Sequence, residues 1–467
     1  MNLENCMVSK DATIREALIK IDSNELGFVC AIDGDKRVVG VATDGDIRAR
    51  LLDGADLSAS IGLALNKDFV WSSDSDNRES ILKLLDSKIK VIPILDHGRV
   101  LVDIVTPENF PIVFEKRVFA QSKAPVRMSF GGGGSDVTHY FMSEIGAVLN
   151  ATISLYAHAT LRPRDDLKVK IDSLDLNDQV EANDLESFLA SSDEFDLFRG
   201  VLQVVKPNFG FDLYVRSDFP RGSGLGGSSA VMAAILGCFN EFRIDKWNEY
   251  ELAELAFQSE RITLGISGGW QDQYATVFGG INFIEFNSGD NVIHPLKLTE
   301  KTILNLEESL VLYELDTGRN SGSIHDNQRK VMQSKEIQNK VEKNVEHCKN
   351  MREHILRGNL NAFGRGLNTA WELKRQFSSK ISNTVIDQIY GFARENGALG
   401  GKLLGAGGGG FFLFYVEDFK KHSFLKAMRE KGLIETRFKF DLAGIRSWKN
   451  REKPTLNSKG EKNSENW

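Results

Sequence analysis

Residues Pro220 to Ala230 read P-R-G-S-G-L-G-G-S-S-A and run directly into the apolar stretch Val231 to Leu236. Glycine has no Cβ, so backbone N–H groups can turn toward an anion and approach it closely. The N-terminus of the helix expected to follow adds partial positive charge at the same point. This chemistry suits a phosphate. Three readings compete for the string. Gly222, Gly224 and Gly227 satisfy the G-x-G-x-x-G spacing of a dinucleotide fold. That fingerprint opens directly off a strand, however, and here Ser217 to Arg221 separate the strand-like Phe211 to Val215 from the glycines. More helix, Tyr250 to Arg261, also follows where that fold needs a strand ending in an acidic residue. A Walker A loop would end in Gly-Lys-Ser or Gly-Lys-Thr, and this one does not. The third reading is a glycine-rich turn that binds nothing.

Taken whole, the string resembles the second motif of the GHMP kinases, the superfamily of galactokinase, homoserine kinase, mevalonate kinase and phosphomevalonate kinase. Four further segments carry the likeness. Lys123 to Tyr140, K-A-P-V-R-M-S-F-G-G-G-G-S-D-V-T-H-Y, resembles the first motif in the form found in heptose-phosphate and fucose kinases. Glu260 to Gly280 is similar to the segment that carries the family's acidic residues. Asp316-Thr317-Gly318-Arg319 is similar to a Thr-Gly-x-x-Arg-x-Ser stretch of heptose-phosphate kinases, with its arginine displaced. Gly397 to Val416, G-A-L-G-G-K-L-L-G-A-G-G-G-G-F-F-L-F-Y-V, resembles the third motif, a glycine-rich loop ahead of a hydrophobic strand that packs on the phosphate loop. Trp371 to Lys374 and Ile381 to Asn383 match the heptose-phosphate branch as well.

The resemblance implies an α+β kinase of two lobes that uses ATP and Mg²⁺. Pro220, Gly222, Ser223, Gly224, Leu225, Gly226, Gly227, Ser228 and Ser229 would hold the triphosphate, and Ser229 with Glu260 would hold the metal. Asp272 would orient or deprotonate a sugar hydroxyl, with Arg127 stabilising charge beside it. Gly133, Gly134, Ser135, Asp136, Thr317, Gly318, Arg319, Lys374, Gly408 and Gly409 would meet the substrate. The implied acceptor is the anomeric hydroxyl of a heptose 7-phosphate destined for nucleotide-sugar and surface-glycan synthesis. Another sugar such as fucose or galactose is the alternative within the enzyme class, and a non-catalytic nucleotide or sugar sensor is the alternative outside it. If the substrate carries a phosphate, Lys374, Arg375, Arg319 and Lys402 are the cations in the nearest motifs.

The elements ahead of this machinery repeat. Thr13 to Ile21 is amphipathic, Phe28 to Ile32 and Val38 to Val41 are strand-like, and Asp46 to Leu52 is helical; Asn77 to Leu85, Val91 to Leu95 and Val100 to Val105 repeat much of that order. Each half resembles a CBS domain, a module that works in pairs. By that likeness Thr43 and Asp46, in G-V-A-T-D-G-D-I-R, would contact the ribose of an adenosine or guanosine nucleotide. In the second half Thr106 is present, but Asn109 stands where aspartate is expected and lacks a carboxylate's acceptor strength. Regulation by such a nucleotide and mere dimerisation both remain open, and a homodimer is expected.

Length and charge set the outer bounds. The 467 residues exceed one typical domain. They divide into 1–115 (CBS pair), 116–310 and 311–452 (the two kinase lobes) and a polar tail, 453–467, expected to be disordered. A long polar helix is expected over 323–356. A net charge of −7 argues against a globally basic nucleic-acid-binding surface, whereas a small phosphorylated ligand is compatible. Cys6, Cys30, Cys238 and Cys348 are far apart and suggest neither a disulfide framework nor a zinc site. With no signal-like N-terminus and no stretch long enough to span a bilayer, a cytoplasmic location without membrane association is expected.

Overall fold

Thr13 and Thr43 are each followed three residues later by an acidic residue, Glu16 and Asp46, the spacing of a reciprocal helix cap. In the computed structural model both caps form, opening the helices Ile14–Asn24 and Asp44–Leu52. The structure describes residues 3–451 except 77, 88, 109–117, 193 and 316–334. It divides into two compact units, Met1–Glu115 and Lys116–Trp467.

The first unit bears out the internal duplication. Strands Met7–Ser9, Phe28–Ile32 and Val38–Thr43 form one three-stranded sheet, and Ser72–Ser73, Ile92–Leu95 and Leu101–Val105 form another. In each the first pairing is parallel and the second antiparallel. Each central strand breaks register near its end, between Ala31 and Ile32 and between Ile94 and Leu95.

In the second unit the long strands Val118–Gly131 and Gly146–Pro163 pair antiparallel and form the spine of an eight-stranded sheet. Gly146–Pro163 takes Phe211–Ser217 along one half of its other edge and Ile281–Phe286 along the other half. Against this sheet packs the helix Gly227–Phe242, in which Met232, Ala233, Ala234, Ile235 and Leu236 are all buried in succession. Such an all-round apolar helix belongs in a core, so the N-terminus that receives the glycine loop is anchored.

The second lobe is a four-stranded antiparallel sheet, ordered Ala398–Leu403, Gly410–Val416, Leu310–Leu315, Glu435–Thr436. It lies with the helices Lys335–Leu356, Leu360–Arg375, Thr384–Glu395 and Asp418–Glu430. Every residue of Gly410–Val416 is buried. Phe412 stacks on Phe414 with centroids 4.6 Å apart and meets Trp371 edge-on at 5.5 Å. One hydrophobic core runs through both lobes. Of the polar helix expected over 323–356, the described part is Lys335–Leu356; its start and the tail 453–467 fall outside the described residues. Among the described residues no helix is long and apolar enough to cross a membrane.

The last described strand leaves the second lobe. Arg446–Arg451 returns to pair antiparallel with Val118–Lys123, extending the first lobe's sheet. The strand, R-S-W-K-N-R, carries Trp448 as its single apolar residue, so no apolar periodicity marks it as sheet. Buried Asp441 holds the return. Its Oδ2 accepts from the Tyr156 hydroxyl at 2.8 Å and from Arg446, its Oδ1 accepts from the N–H groups of Ala443 and Gly444, and its carbonyl accepts from the Thr152 hydroxyl at 2.7 Å. Asp441→Ala strands the donors from Tyr156, Arg446, Ala443 and Gly444, so unfolding free energy should fall by about 3 kcal/mol, the low end for breaking a buried charge network, because Arg446 is partly exposed. A urea titration of the full chain measures this, and an unchanged midpoint would contradict the role given to Asp441.

Candidate active site

The glycine loop leaves the strand Phe211–Ser217 and ends at Gly226, which caps the helix Gly227–Phe242 in a left-handed conformation (φ 78°) with no side-chain cap. The first-turn N–H groups of a helix have no intrahelical partner, so here an anion can take the place a capping side chain would otherwise fill. The loop is braced by backbone. Arg127 N–H donates to Leu225 O at 2.9 Å, and Phe411 N–H donates to Ser223 O at 2.9 Å. From the second lobe Gly405 (φ 71°) approaches so closely that a Cβ there would lie 2.5 Å from the Cα of Gly224. The third glycine-rich segment thus packs on the phosphate loop.

Beside the loop stands a buried charged pair. Arg127 donates through Nε (2.7 Å) to Asp272 Oδ1, with Nη2 2.6 Å from the same oxygen, and through Nη1 to Gly224 O at 2.7 Å. A Cβ on Gly226 would lie 3.3 Å from the Asp272 carboxylate, so the acid touches the loop's bare backbone. Burial acts to raise the Asp272 pKa. The charges of Arg127 and Arg261, with hydrogen bonds from Arg127 and Gln271, outweigh it and hold the carboxyl below its ordinary value.

Asp136 approaches from Gly133 and Gly134. Its Oδ1 accepts from Gly134 N–H at 3.0 Å and its Oδ2 from Gln271 N–H at 3.4 Å, while its carbonyl accepts from Trp270 N–H at 2.9 Å. It therefore caps the helix Gln271–Phe278, which has no cap side chain of its own, and aims Asp272. Trp270 stacks on Phe257 with centroids 3.5 Å apart and fixes the helix entry. Burial first, then the neighbouring Asp272 charge, raises the Asp136 pKa.

Glu260 lies in a π-helical turn, Gln258–Thr263, that continues the helix Glu249–Phe257; such widened turns often occur at functional sites. The carboxylate is 1% exposed and accepts from the hydroxyls of Ser228 (2.5 Å) and Ser229 (2.8 Å) and from Gln273 Nε2 (2.7 Å). The carboxylate and the two hydroxyls are hard oxygen ligands at the end of the glycine loop, a set that fits a magnesium ion taking its remaining ligands from phosphate and water.

All three groups open on one cleft of about 1130 Å³. Its lining combines apolar side chains, among them Leu176, Leu197, Phe198, Val215, Phe219 and Val231, with the polar Ser129, Asp136, Gln271, Lys374 and Lys402, and the glycine loop lines the same cleft.

Family models match this architecture: GHMP kinases N terminal domain over residues 196–280, GHMP kinases C terminal over 351–432, and CBS domain over 3–53. A Campylobacter jejuni protein named D-glycero-alpha-D-manno-heptose 7-phosphate kinase is 36% identical over 336 residues, covering 70% of this chain and 98% of that one. The chain is a GHMP sugar kinase. The kinase is also 28% identical over 338 residues to an Arabidopsis thaliana bifunctional fucokinase/GDP-fucose pyrophosphorylase, 31% of whose length is covered. A solved D-glycero-D-manno-heptose 1-phosphate kinase from Bacteroides thetaiotaomicron superposes with a TM-score of 0.59 at 29% identity, over 71% of this chain and 100% of that one.

The structure brings Pro220, Gly222, Ser223, Gly224, Gly226, Gly227 and Ser228 to the cleft wall together with Arg127, Gly133, Gly134, Asp136, Glu260, Asp272 and Lys374. Leu225 and Ser229 are buried behind it, so the hydroxyl facing the cleft beside Glu260 is that of Ser228. Ser135 is also off the wall, its hydroxyl bonded to the backbone of Gly132 and Ala147. Gly408 donates to Ile381 O and, with Gly409, does not line the cleft. The Lys374 ammonium donates to the carbonyls of Leu403 (3.0 Å) and Gly405, bracing the loop that touches Gly224. Thr317, Gly318 and Arg319 lie outside the described residues. In the first unit, Asp46 Oδ2 accepts from both the hydroxyl and the N–H of Thr43, so this pair closes a helix cap.

Arg261, Gln271 and Gln273 were not legible as site residues. Arg261 donates to the carbonyls of Ile266 and Ser267 and lies 3.5 Å from Glu260, which ties the segment leading to Asp272 to the turn that carries Glu260. The available signal was their adjacency to Glu260 and Asp272. Gly405→Ala should raise the KM for ATP by at least about tenfold, because the added methyl collides with loop backbone, which cannot yield as a flexible side chain can. Steady-state kinetics read this directly, and an unchanged ATP KM would contradict the lobe contact.

Proposed function

We propose that this kinase transfers the γ-phosphate of ATP to the anomeric hydroxyl of a heptose 7-phosphate. The observation that carries the transfer geometry is the contact between the Asp272 carboxylate and Gly226: the group that orients the acceptor touches the loop that holds the donor. The names of the Campylobacter and Bacteroides relatives support a heptose substrate, and the fucokinase likeness makes fucose the competitor.

In this reading apolar residues of the cleft lining take adenine, and the N–H groups from Gly222 to Ser228 hold the phosphates. Asp272, kept ionised by Arg127 and Arg261, accepts a hydrogen bond from the sugar hydroxyl and receives its proton as the new P–O bond forms and the bond to ADP breaks. Arg127 fixes the carboxylate's direction and offsets the negative charge gathered around it. Ser228 and Glu260 would hold Mg²⁺, with Ser229 behind them, and the ion when bound neutralises phosphate oxygens. Closure of the second lobe over the loop excludes water as a competing acceptor.

A coupled ADP-release assay with ATP, Mg²⁺ and a panel of sugars tests the reading. Heptose 7-phosphate should exceed free heptose, fucose and galactose in kcat/KM by at least about tenfold. Faster turnover of fucose would overturn the heptose assignment, and no sugar turnover would overturn the transfer itself. Asp272→Asn should cut kcat by about 10²- to 10⁴-fold while ATP binding persists. Because the Asp272 pKa is depressed, its charge survives acidification, and the acid limb of kcat/KM should fall below the ordinary carboxylate range. A limb near neutrality would assign the base to another group.

A further inference from the structure

Lys402 comes from the strand Ala398–Leu403 of the second lobe yet lines the cleft that also holds Asp136 and Asp272. It is 3% exposed, and among the described residues its hydrogen bond is to a single acceptor, Ser129 O, at 2.7 Å. An ammonium has three N–H donors, and a buried one with unmet donors is expensive. Lys374 nearby uses its ammonium on two carbonyls of its own lobe, whereas Lys402 lines the same cleft as Asp136 and Arg127 and feels the charge of both. Its acceptor matters too, because the Ser129 hydroxyl donates to Gln271 Oε1 at 3.0 Å, next to Asp272. Burial and the charge of Arg127 push the Lys402 pKa down to about 7, against the pull of Cys348 and Asp136. The ammonium is therefore poorly compensated until another oxygen arrives.

We propose that Lys402 is a substrate-binding residue, its ammonium donating to an oxygen of the sugar from the second-lobe side, opposite Asp136. This rests on the sugar-kinase reading above. It makes the second lobe part of the acceptor site, so a substrate must be met by both lobes at once before the hydroxyl is aligned with Asp272.

The test is steady-state kinetics of Lys402→Met in the full chain, using whichever panel sugar the wild type phosphorylates, with thermal unfolding measured alongside. Methionine keeps the length and packing of the side chain. The sugar KM should rise about ten- to a hundredfold, the size of one charge-assisted hydrogen bond, with the ATP KM within about twofold of wild type. Deoxy analogues of the sugar, and the phosphorylated and free forms, then identify the oxygen. Removing the group that Lys402 reads should weaken the wild type but not further weaken Lys402→Met, a non-additivity that a purely structural lysine would not produce. Loss confined to phosphorylated sugar assigns a phosphate oxygen; equal loss on both forms assigns a hydroxyl. An unchanged sugar KM in a folded variant overturns the proposal, as do equal rises in the sugar and ATP KM values. A wild type that phosphorylates no sugar defeats the kinase reading instead, so the two failures are distinguishable.

Discussion

The bare backbone at Gly224 and Gly226 is the constraint on which the cleft depends. Gly405 of the second lobe packs against the first of these glycines, and Arg127 also bonds its carbonyl; Asp272 lies against the second. A Cβ on Gly405 would lie 2.5 Å from the Cα of Gly224, and one on Gly226 would press on the Asp272 carboxylate at 3.3 Å. The glycine loop, the acidic helix and the second lobe therefore meet at bare backbone, and in the proposed reading a phosphate on the loop would lie next to a hydroxyl held by Asp272. Proximity of this kind supplies much of what a phosphoryl transfer needs, because the protein contributes position and charge more than covalent chemistry.

Asp136 and Asp272 are driven apart in acidity by their surroundings. Asp272 has Arg127 and Arg261 to favour its charge, while Asp136 is buried and feels the Asp272 charge, so its proton is held more tightly. In the proposed reading Asp272 would thereby be kept available for proton transfer, while Asp136 caps the helix Gln271–Phe278. The buried arginine is the shared element. It straightens the acid, bonds the loop at Gly224 and, through its strand, donates a backbone N–H to Leu225.

Much of this was legible in the sequence because the working parts are glycine strings and the acids that follow them, and glycine runs have few structural uses. The repeat in residues 1–115 was legible from the recurring order of apolar segments, and the structure adds matching register breaks in both halves. The apolar lining of the cleft was not, since Leu176, Leu197, Phe198, Val215, Phe219 and Val231 are scattered over several elements and loops and each looks like ordinary core. Nor was the return of Arg446–Arg451 to the first lobe, because an edge strand with one wet face carries a weak pattern. Ser135, Gly408 and Gly409 show the opposite difficulty: they belong to glycine-rich strings whose neighbours line the cleft, but their own atoms are directed to backbone or lie off its wall.

The central claim is that ATP is held by the backbone of residues 222–229 at the junction of the two lobes. Amide hydrogen exchange on the full chain, with and without a non-hydrolysable ATP analogue and Mg²⁺, tests it most directly, because the groups proposed to bind are the amides being measured. The account predicts slowed exchange across 222–229, with smaller protection at 403–406, where the second lobe meets the loop. Protection absent from 222–229, with the nucleotide instead protecting only residues within 1–115, would contradict it.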